Sequence, residues 1–166
     1  MQVYHITYQM LRRKKNGPVR AKKVTYDGIK FASGLEKYMY KALKDAKIKA
    51  EYEGMTFELI PSFHFDVEAF ERCANGKGEY KNRGNKNILN IKYTPDFIGE
   101  DFIIECKGRA NESFPLRWKL FKMLVTKDLP NTILYKPQNQ KECDKTIELI
   151  LETLKQKLDI GIMNAK

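Results

Sequence analysis

Residues 93–106 hold four acids, Asp96, Glu100, Asp101 and Glu105, and no basic residue, inside a chain of net charge +10. A face built to meet phosphates gains nothing from clustered carboxylates unless something positive, such as a metal ion, sits between them. If 101–107 is a strand, alternation puts Asp101, Ile103, Glu105 and Lys107 on one face. Phe102, Ile104 and Cys106 then take the other. A turn at Gly99 brings the preceding strand back, so that Asp96 ends close to Glu105. Two carboxylates with a lysine beside them make a hard-oxygen site for Mg²⁺, with an ammonium placed to orient or deprotonate a water. Asp96 after Pro95 also reads as a turn residue, and Glu105–Lys107 as a simple ion pair. Both rivals are weakened by the apolar neighbours Phe97, Ile98, Phe102, Ile103 and Ile104, which mark an interior where charges are costly without a job.

Pro95-Asp96, eight intervening residues, then Glu105-x-Lys107 resembles the signature of the PD-(D/E)xK nuclease superfamily. Upstream, DGIKFASGLEKYMYKAL carries Glu36 on a helix that resembles the one supplying an extra acidic ligand in many members. Downstream, Arg117, Lys119 and Lys122 lie on the helix after the ExK strand. The order is similar to that of phage endonuclease I-type Holliday-junction resolvases and related phage nucleases, over roughly residues 24–126. The resemblance implies a restriction-endonuclease-like core, a central mixed sheet flanked by helices. It also implies a Mg²⁺-dependent endodeoxyribonuclease, with Mn²⁺ as substitute. Asp96, Glu105, the Cys106 carbonyl and Glu36 would be the metal ligands, and Lys107 would position the water. Cleavage would leave a 5′-phosphate and a 3′-hydroxyl. By residues alone Glu36 is equally a capping-box glutamate, in Ser33-x-x-Glu36; the resemblance favours the metal role. The cytoplasm is the expected location, that of a host cell for a phage protein.

The elements that must position these groups follow from pattern. Residues 1–10 read as a strand, and 11–23 as a basic arm with Arg12, Arg13, Lys14 and Lys15. Asp27-Gly28 is a hairpin dipeptide. After Ser33, the apolar spacing of Leu35, Tyr38, Met39, Ala42, Leu43 and Ala46 predicts a helix. Strands are expected over 48–53, 56–60, 62–68, 88–93, 101–107 and 132–136. Between them, 75–87 (NGKGEYKNRGNKN) reads as a flexible basic loop carrying Lys81 and Arg83. A second helix runs from Pro115 to Lys127, with Leu116, Trp118, Leu120, Phe121 and Leu124 as core. A last helix, about 140–158, aligns Ile147, Ile150, Leu151, Leu154 and Leu158, for core or a dimer interface. The sum is a single α/β or α+β domain over 1–166, which the resemblance makes a nuclease domain.

Composition narrows the classes. No apolar run approaches the roughly 18 residues of a membrane span, and the N-terminus lacks a signal-peptide core. Three cysteines, far apart and never in CxxC spacing, argue against a disulfide framework and for a reducing compartment. With only His5 and His64, mechanisms built on several histidines are excluded. His64 reads as a surface or satisfied residue, and Glu100 and Asp101 as solvated turn acids. Basic blocks at 1–30, 75–92 and 107–127 carry net +7, +4 and +5, a distribution suited to a polyanion. Charge alone fits a merely soluble basic surface equally well; the resemblance implies DNA, branched or duplex, as the partner. The arm, the loop and Arg109 are its expected backbone contacts, and no membrane is expected. Symmetric junction cutting needs two sites, which a homodimer supplies. Competing readings are a basic nucleic-acid-binding or packaging accessory without turnover, and a restriction-like or degradative duplex nuclease.

Overall fold

The computed structural model describes residues 22–109 and 111–164. The expected strand 1–10 and the arm bearing Arg12, Arg13, Lys14 and Lys15 lie outside the described residues. The described chain is α+β. Strands β1 (Val24–Tyr26) and β2 (Ile29–Phe31) form a hairpin. Asp27 and Gly28 turn it at φ 55° and 77°, the geometry that Asp-Gly favours. The Asp27 carboxylate accepts from Tyr40 Oη and Lys44 Nζ at 2.9 and 2.6 Å, tying the hairpin to helix α1 (Gly34–Asp45). Strand β3 (Glu51–Tyr52) follows, shorter than the expected 48–53.

Strands β4 (Phe57–Ile60), β5 (Phe63–Phe65), β6 (Phe70–Glu71), β7 (Lys81–Asn82), β8 (Lys86–Ile88) and β9 (Ile91–Tyr93) come next. They pair antiparallel in nested order: Phe57 with Tyr93, Phe63 with Ile88, Phe70 with Asn82. The register slips by one residue at Glu58–Ile60 and again between Phe65 and Phe70. The six strands are thus one long, twice-bulged ribbon, and the expected loop 75–87 is corrected. Its second half is paired strand.

Asparagine and glycine there build a bulge. Asn82 Oδ1 accepts from the N–H groups of Gly84 and Ala69, and Asn85 N–H donates to the Val67 carbonyl. A Cβ on Gly84 would meet that carbonyl oxygen at 2.0 Å, so the backbones approach as only glycine allows.

Strands β10 (Phe97–Ile98) and β11 (Phe102–Ile104), helix α2 (Phe114–Asp128), strand β12 (Ile133–Tyr135) and helix α3 (Gln140–Asn164) complete the chain. The main sheet has order β12-β11-β10-β3, with β11 and β12 parallel and the other pairs antiparallel. Helix α2 is the crossover that a parallel neighbour requires. One sheet face buries Phe97, Phe102, Ile104 and Cys106 with Phe31, Met39 and Leu43, Cys143 and Ile150. The other buries Ile103 with Tyr93, Trp118, Phe121 and Val125. Each β11 side chain therefore goes to the face that alternation predicts.

Two core expectations are corrected. Leu116 on α2 is exposed, because Trp118 and Phe121 already fill the contact with the sheet. On α3, Ile150 is buried and Ile147 packs beside it, but Leu151, Leu154 and Leu158 turn out to solvent. Asp101 is not merely a solvated turn acid; it takes Lys157 of α3 as an ion-pair partner. No helix among the described residues is long and apolar enough to cross a membrane.

Candidate active site

Extended backbone continues past β11, since Glu105 N–H donates to the Tyr135 carbonyl and Lys107 N–H to that of Pro137 (2.9 and 3.0 Å). Cys106 therefore turns its own N–H and C=O to the opposite side, toward β10. There its N–H donates to Asp96 Oδ2 at 2.6 Å. No described donor falls on the Cys106 carbonyl, while its side chain is core. Glu105 and Lys107 share the face that lies toward α2. Lys107 Nζ sits 3.5 Å from Glu105 Oε1 and 4.8 Å from the centroid of the Phe114 ring.

Glu36 reaches the same place from α1. Ser33 Oγ caps the helix by accepting from Glu36 N–H at 3.2 Å. Glu36 Oε2 accepts from Ala32 N–H and Tyr52 Oη, each at 2.8 Å. A capping box would return the glutamate to Ser33 N–H; here it is displaced by one residue, onto Ala32. No hydrogen bond among the described residues falls on Oε1.

Glu36, Asp96, Glu105, Lys107, Tyr93 and Arg117 line one cleft of about 360 Å³. A second of about 520 Å³ shares Ala32, Glu36 and Lys107 with it and includes Arg109 in its wall. Arginines thus line both clefts beside the carboxylates. The charge is poorly offset. Burial first, then the facing charges of Glu105 and Glu36, push the Asp96 carboxyl up to about 8, against the Cys106 N–H and Lys107. Burial also raises Glu105, although Tyr93 and Lys107 pull the other way. The Tyr93 hydroxyl is buried without a partner in hydrogen-bond geometry, yet near enough to Glu105 for each to shift the other.

Three carboxylates, one free peptide carbonyl and an orphaned hydroxyl facing one lysine form an all-oxygen donor set of excess negative charge. That chemistry fits a hard divalent cation. The groups are not drawn together: among the described residues, no three His, Cys, Asp or Glu side chains are gathered closely enough to hold an ion as they stand. Oxygens of Asp96 and Glu36 are engaged by backbone N–H groups.

Other expected contacts disperse. Lys119 is exposed on α2, outside both clefts. Lys122 lies 5.9 Å from the Trp118 centroid and lines a separate cleft beside Val125 and Leu129. Lys81 and Arg83 stand far out on the ribbon. Arg83 donates to the Glu71 and Glu79 carbonyls, so its guanidinium serves the ribbon itself. His64 is an exposed residue satisfied by Asn85 and Asn87.

Tyr52 and Tyr93 escaped the sequence reading. Nothing in the sequence marks a tyrosine fifteen or more positions away as the clamp on Glu36, since that pairing exists only once β3 lies beside β10. A model of a family described as protein of unknown function, DUF1064, matches residues 12–140. No curated protein and no solved structure matches the chain.

Proposed function

We propose that this chain, which belongs to the DUF1064 family, is a Mg²⁺-dependent DNA endonuclease of the PD-(D/E)xK kind, structure-specific on branched DNA. The observation that carries the reading is the convergence of Glu36, Asp96, Glu105 and Lys107 on one cleft lined also by Arg117, with Arg109 in the cleft that shares Glu36 and Lys107. The mixed sheet, with α2 crossing between parallel β11 and β12, supports the same resemblance. Asp96, Glu105, the Cys106 carbonyl and Glu36 would hold Mg²⁺, or Mn²⁺ in its place. A divalent ion there would supply Lewis-acid stabilisation of developing negative charge and a water of lowered pKa.

The chain's own residues do the rest. Lys107, steadied by Glu105 and the Phe114 ring, orients the attacking water by donating to it. Arg109 and Arg117 take phosphates on either side of the scissile one. Pairing with Cys106 N–H and Ala32 N–H anchors one oxygen each of Asp96 and Glu36, so that metal binding has only to draw the remaining oxygens together. The exposed Leu151, Leu154 and Leu158 offer a surface for a homodimer that sets two such sites on opposing strands. Free cysteines and a DNA substrate suit work in the cytoplasm.

A binding-only accessory protein is the second reading. It is favoured by one observation: the acids are not gathered as an ion would gather them. Plasmid nicking separates the two. Purified full-length protein should convert supercoiled plasmid to the open circle with Mg²⁺ and not with a chelator. Asp96→Ala and Lys107→Ala should abolish this while binding persists, and gel-shift affinity should be kept or raised in Asp96→Ala, because fixed negative charge repels phosphates. Wild-type nicking by Asp96→Ala would end the nuclease assignment. A panel of four-way junction, flap, single strand and linear duplex reads the preferred structure.

A further inference from the structure

From Pro61 to Asn90 the ribbon contains no buried residue. A two-stranded ribbon with both faces in water is marginal by itself, yet this one is carefully built. The bulge between Phe65 and Phe70, the Gly84 close approach, the Asn82 side-chain bonds and the Arg83 tie to Glu71 and Glu79 all shape its outer half. Its charge is graded. Residues 61–69 carry Asp66 and Glu68 and no base, whereas 70–86 carry five Lys/Arg against two acids. Arg83 and Lys86 are engaged within the ribbon. No hydrogen bond or ion pair among the described residues falls on the side chains of Arg72, Lys77 or Lys81.

Among these free cations stand two aromatic rings. Phe70 and Tyr80 are 55% and 68% exposed, with centroids 6.3 Å apart. Phe70 pairs with Asn82, and alternation carries Arg72 and Tyr80 onto that same face while Glu71 and Lys81 take the other. Apolar rings left in water beside unpaired cations match a polyanion that also presents flat π-faces: nucleic acid whose bases are unstacked.

We propose that the ribbon tip, Phe70 and Tyr80 with Arg72, is a stacking platform for unpaired bases. The ribbon's root, at Lys92 and Tyr93, is itself a wall of the carboxylate cleft. Thirteen positions separate Tyr80 from Tyr93, so at about 3.3 Å per residue the platform stands no more than roughly 43 Å away. One turn of B-form duplex is about 34 Å. The arm is therefore long enough to reach single-stranded or splayed bases about one turn from a scissile phosphate. This rests on the nuclease reading for its register with the cleft. The stacking itself does not.

The test uses full-length protein in EDTA, so that nothing is cut. The probes are a labelled forked duplex with single-stranded arms and a blunt duplex of the same paired sequence. Phe70→Ala/Tyr80→Ala should weaken fork binding by about tenfold or more, and blunt-duplex binding by less than about twofold. A 2-aminopurine in the single-stranded arm should be quenched by wild type and not by the double variant. Phe70→Leu/Tyr80→Leu, which keeps apolar bulk, should behave like the alanine pair. Equal losses on both probes, no loss on either, unchanged quenching, or full fork affinity in the leucine pair would each overturn the platform. So would loss of a wild-type dimer in the alanine pair by light scattering, which would make the tip a protein contact. Plasmid nicking by wild type is scored separately. Ring-dependent fork binding without nicking removes the nuclease reading and leaves the platform; nicking with ring-independent binding does the reverse.

Discussion

Asp96→Asn removes one charge from the cleft while keeping an oxygen to receive the Cys106 N–H. The wild-type carboxyl titrates at about 8 in the folded protein, against an ordinary value of 3.8. Below pH 3.8 both states are protonated and the shift has no effect on stability. Between the two values the unfolded chain releases its proton and the native one keeps it. Stability therefore falls as pH rises, and stays low above about 8. Roughly four pH units at about 1.36 kcal/mol each set a ceiling near 6 kcal/mol. Asp96 lines a cleft that admits water, which restores part of the lost solvation, so about 2 to 4 kcal/mol is expected. Asparagine carries no such burden. Metal-free Asp96→Asn should match wild type near pH 4 and gain steadily through pH 6. By pH 8 it should melt roughly 5–15 °C higher, at about 2–4 °C per kcal/mol for a domain of this size. Thermal melts in EDTA at these pH values read the difference, with nicking assayed alongside. A variant no more stable than wild type at pH 8, or one whose advantage is the same at pH 4, would refute the electrostatic reasoning.

Glu36→Gln should unfold within about 0.5 kcal/mol of wild type, because the amide oxygen can accept from Ala32 and Tyr52, yet lose nicking at least tenfold; Glu36→Ala should lose nicking and about 1 kcal/mol besides. Chemical denaturation with parallel plasmid assays separates these. Nicking rate should climb with pH as Asp96 loses its proton, and the midpoint of that climb should move to lower pH as Mg²⁺ is raised, since ion binding and proton release compete; a midpoint indifferent to Mg²⁺ argues against Asp96 as ligand. Gly99→Ala should destabilise by about 1–3 kcal/mol, because a Cβ there would meet the buried Phe102 ring at 2.2–2.8 Å; urea melts check it.

The main sheet was legible because its strands bury both faces, and burial writes itself as Phe102-Ile103-Ile104 or as the i, i+3, i+4 spacing of Leu35, Tyr38 and Met39. The ribbon was not, for the same physical reason. Its outer strands bury nothing, so no selective pressure of burial shapes their side chains. Lys81-Asn82 and Lys86-Asn87 read as loop by composition while the backbone ladder to Phe70–Glu71 and Phe63–Phe65 makes them strand. The charge of the 75–92 block is only partly spent inside the ribbon, where Lys86 pairs with Glu71 and Arg83 donates to backbone carbonyls. The block folds against Glu68 and Glu71, and Asn82 and Lys86 are bonded to those acids.

Glu36 shows why a site can be only half-written in local sequence. Ser33-x-x-Glu36 admits a cap or a cleft acid, and these looked like rivals because a carboxylate was counted as one group. It is two oxygens. Oε2 is engaged at the helix start by Ala32 N–H, one residue before the position a capping box uses, and by the Tyr52 hydroxyl brought over by β3. The other oxygen receives no hydrogen bond among the described residues, and the residue lines the cleft that Asp96 and Glu105 also line. Asp96 is divided in the same manner, Oδ2 fixed by Cys106 N–H and its partner left over. Backbone donors thus orient both acids without neutralising the cluster, and burial first, then the facing charges of Glu105 and Glu36, push the Asp96 carboxyl up. A fold that keeps such an arrangement at a cost to its own stability is consistent with selection for what the remaining oxygens can bind.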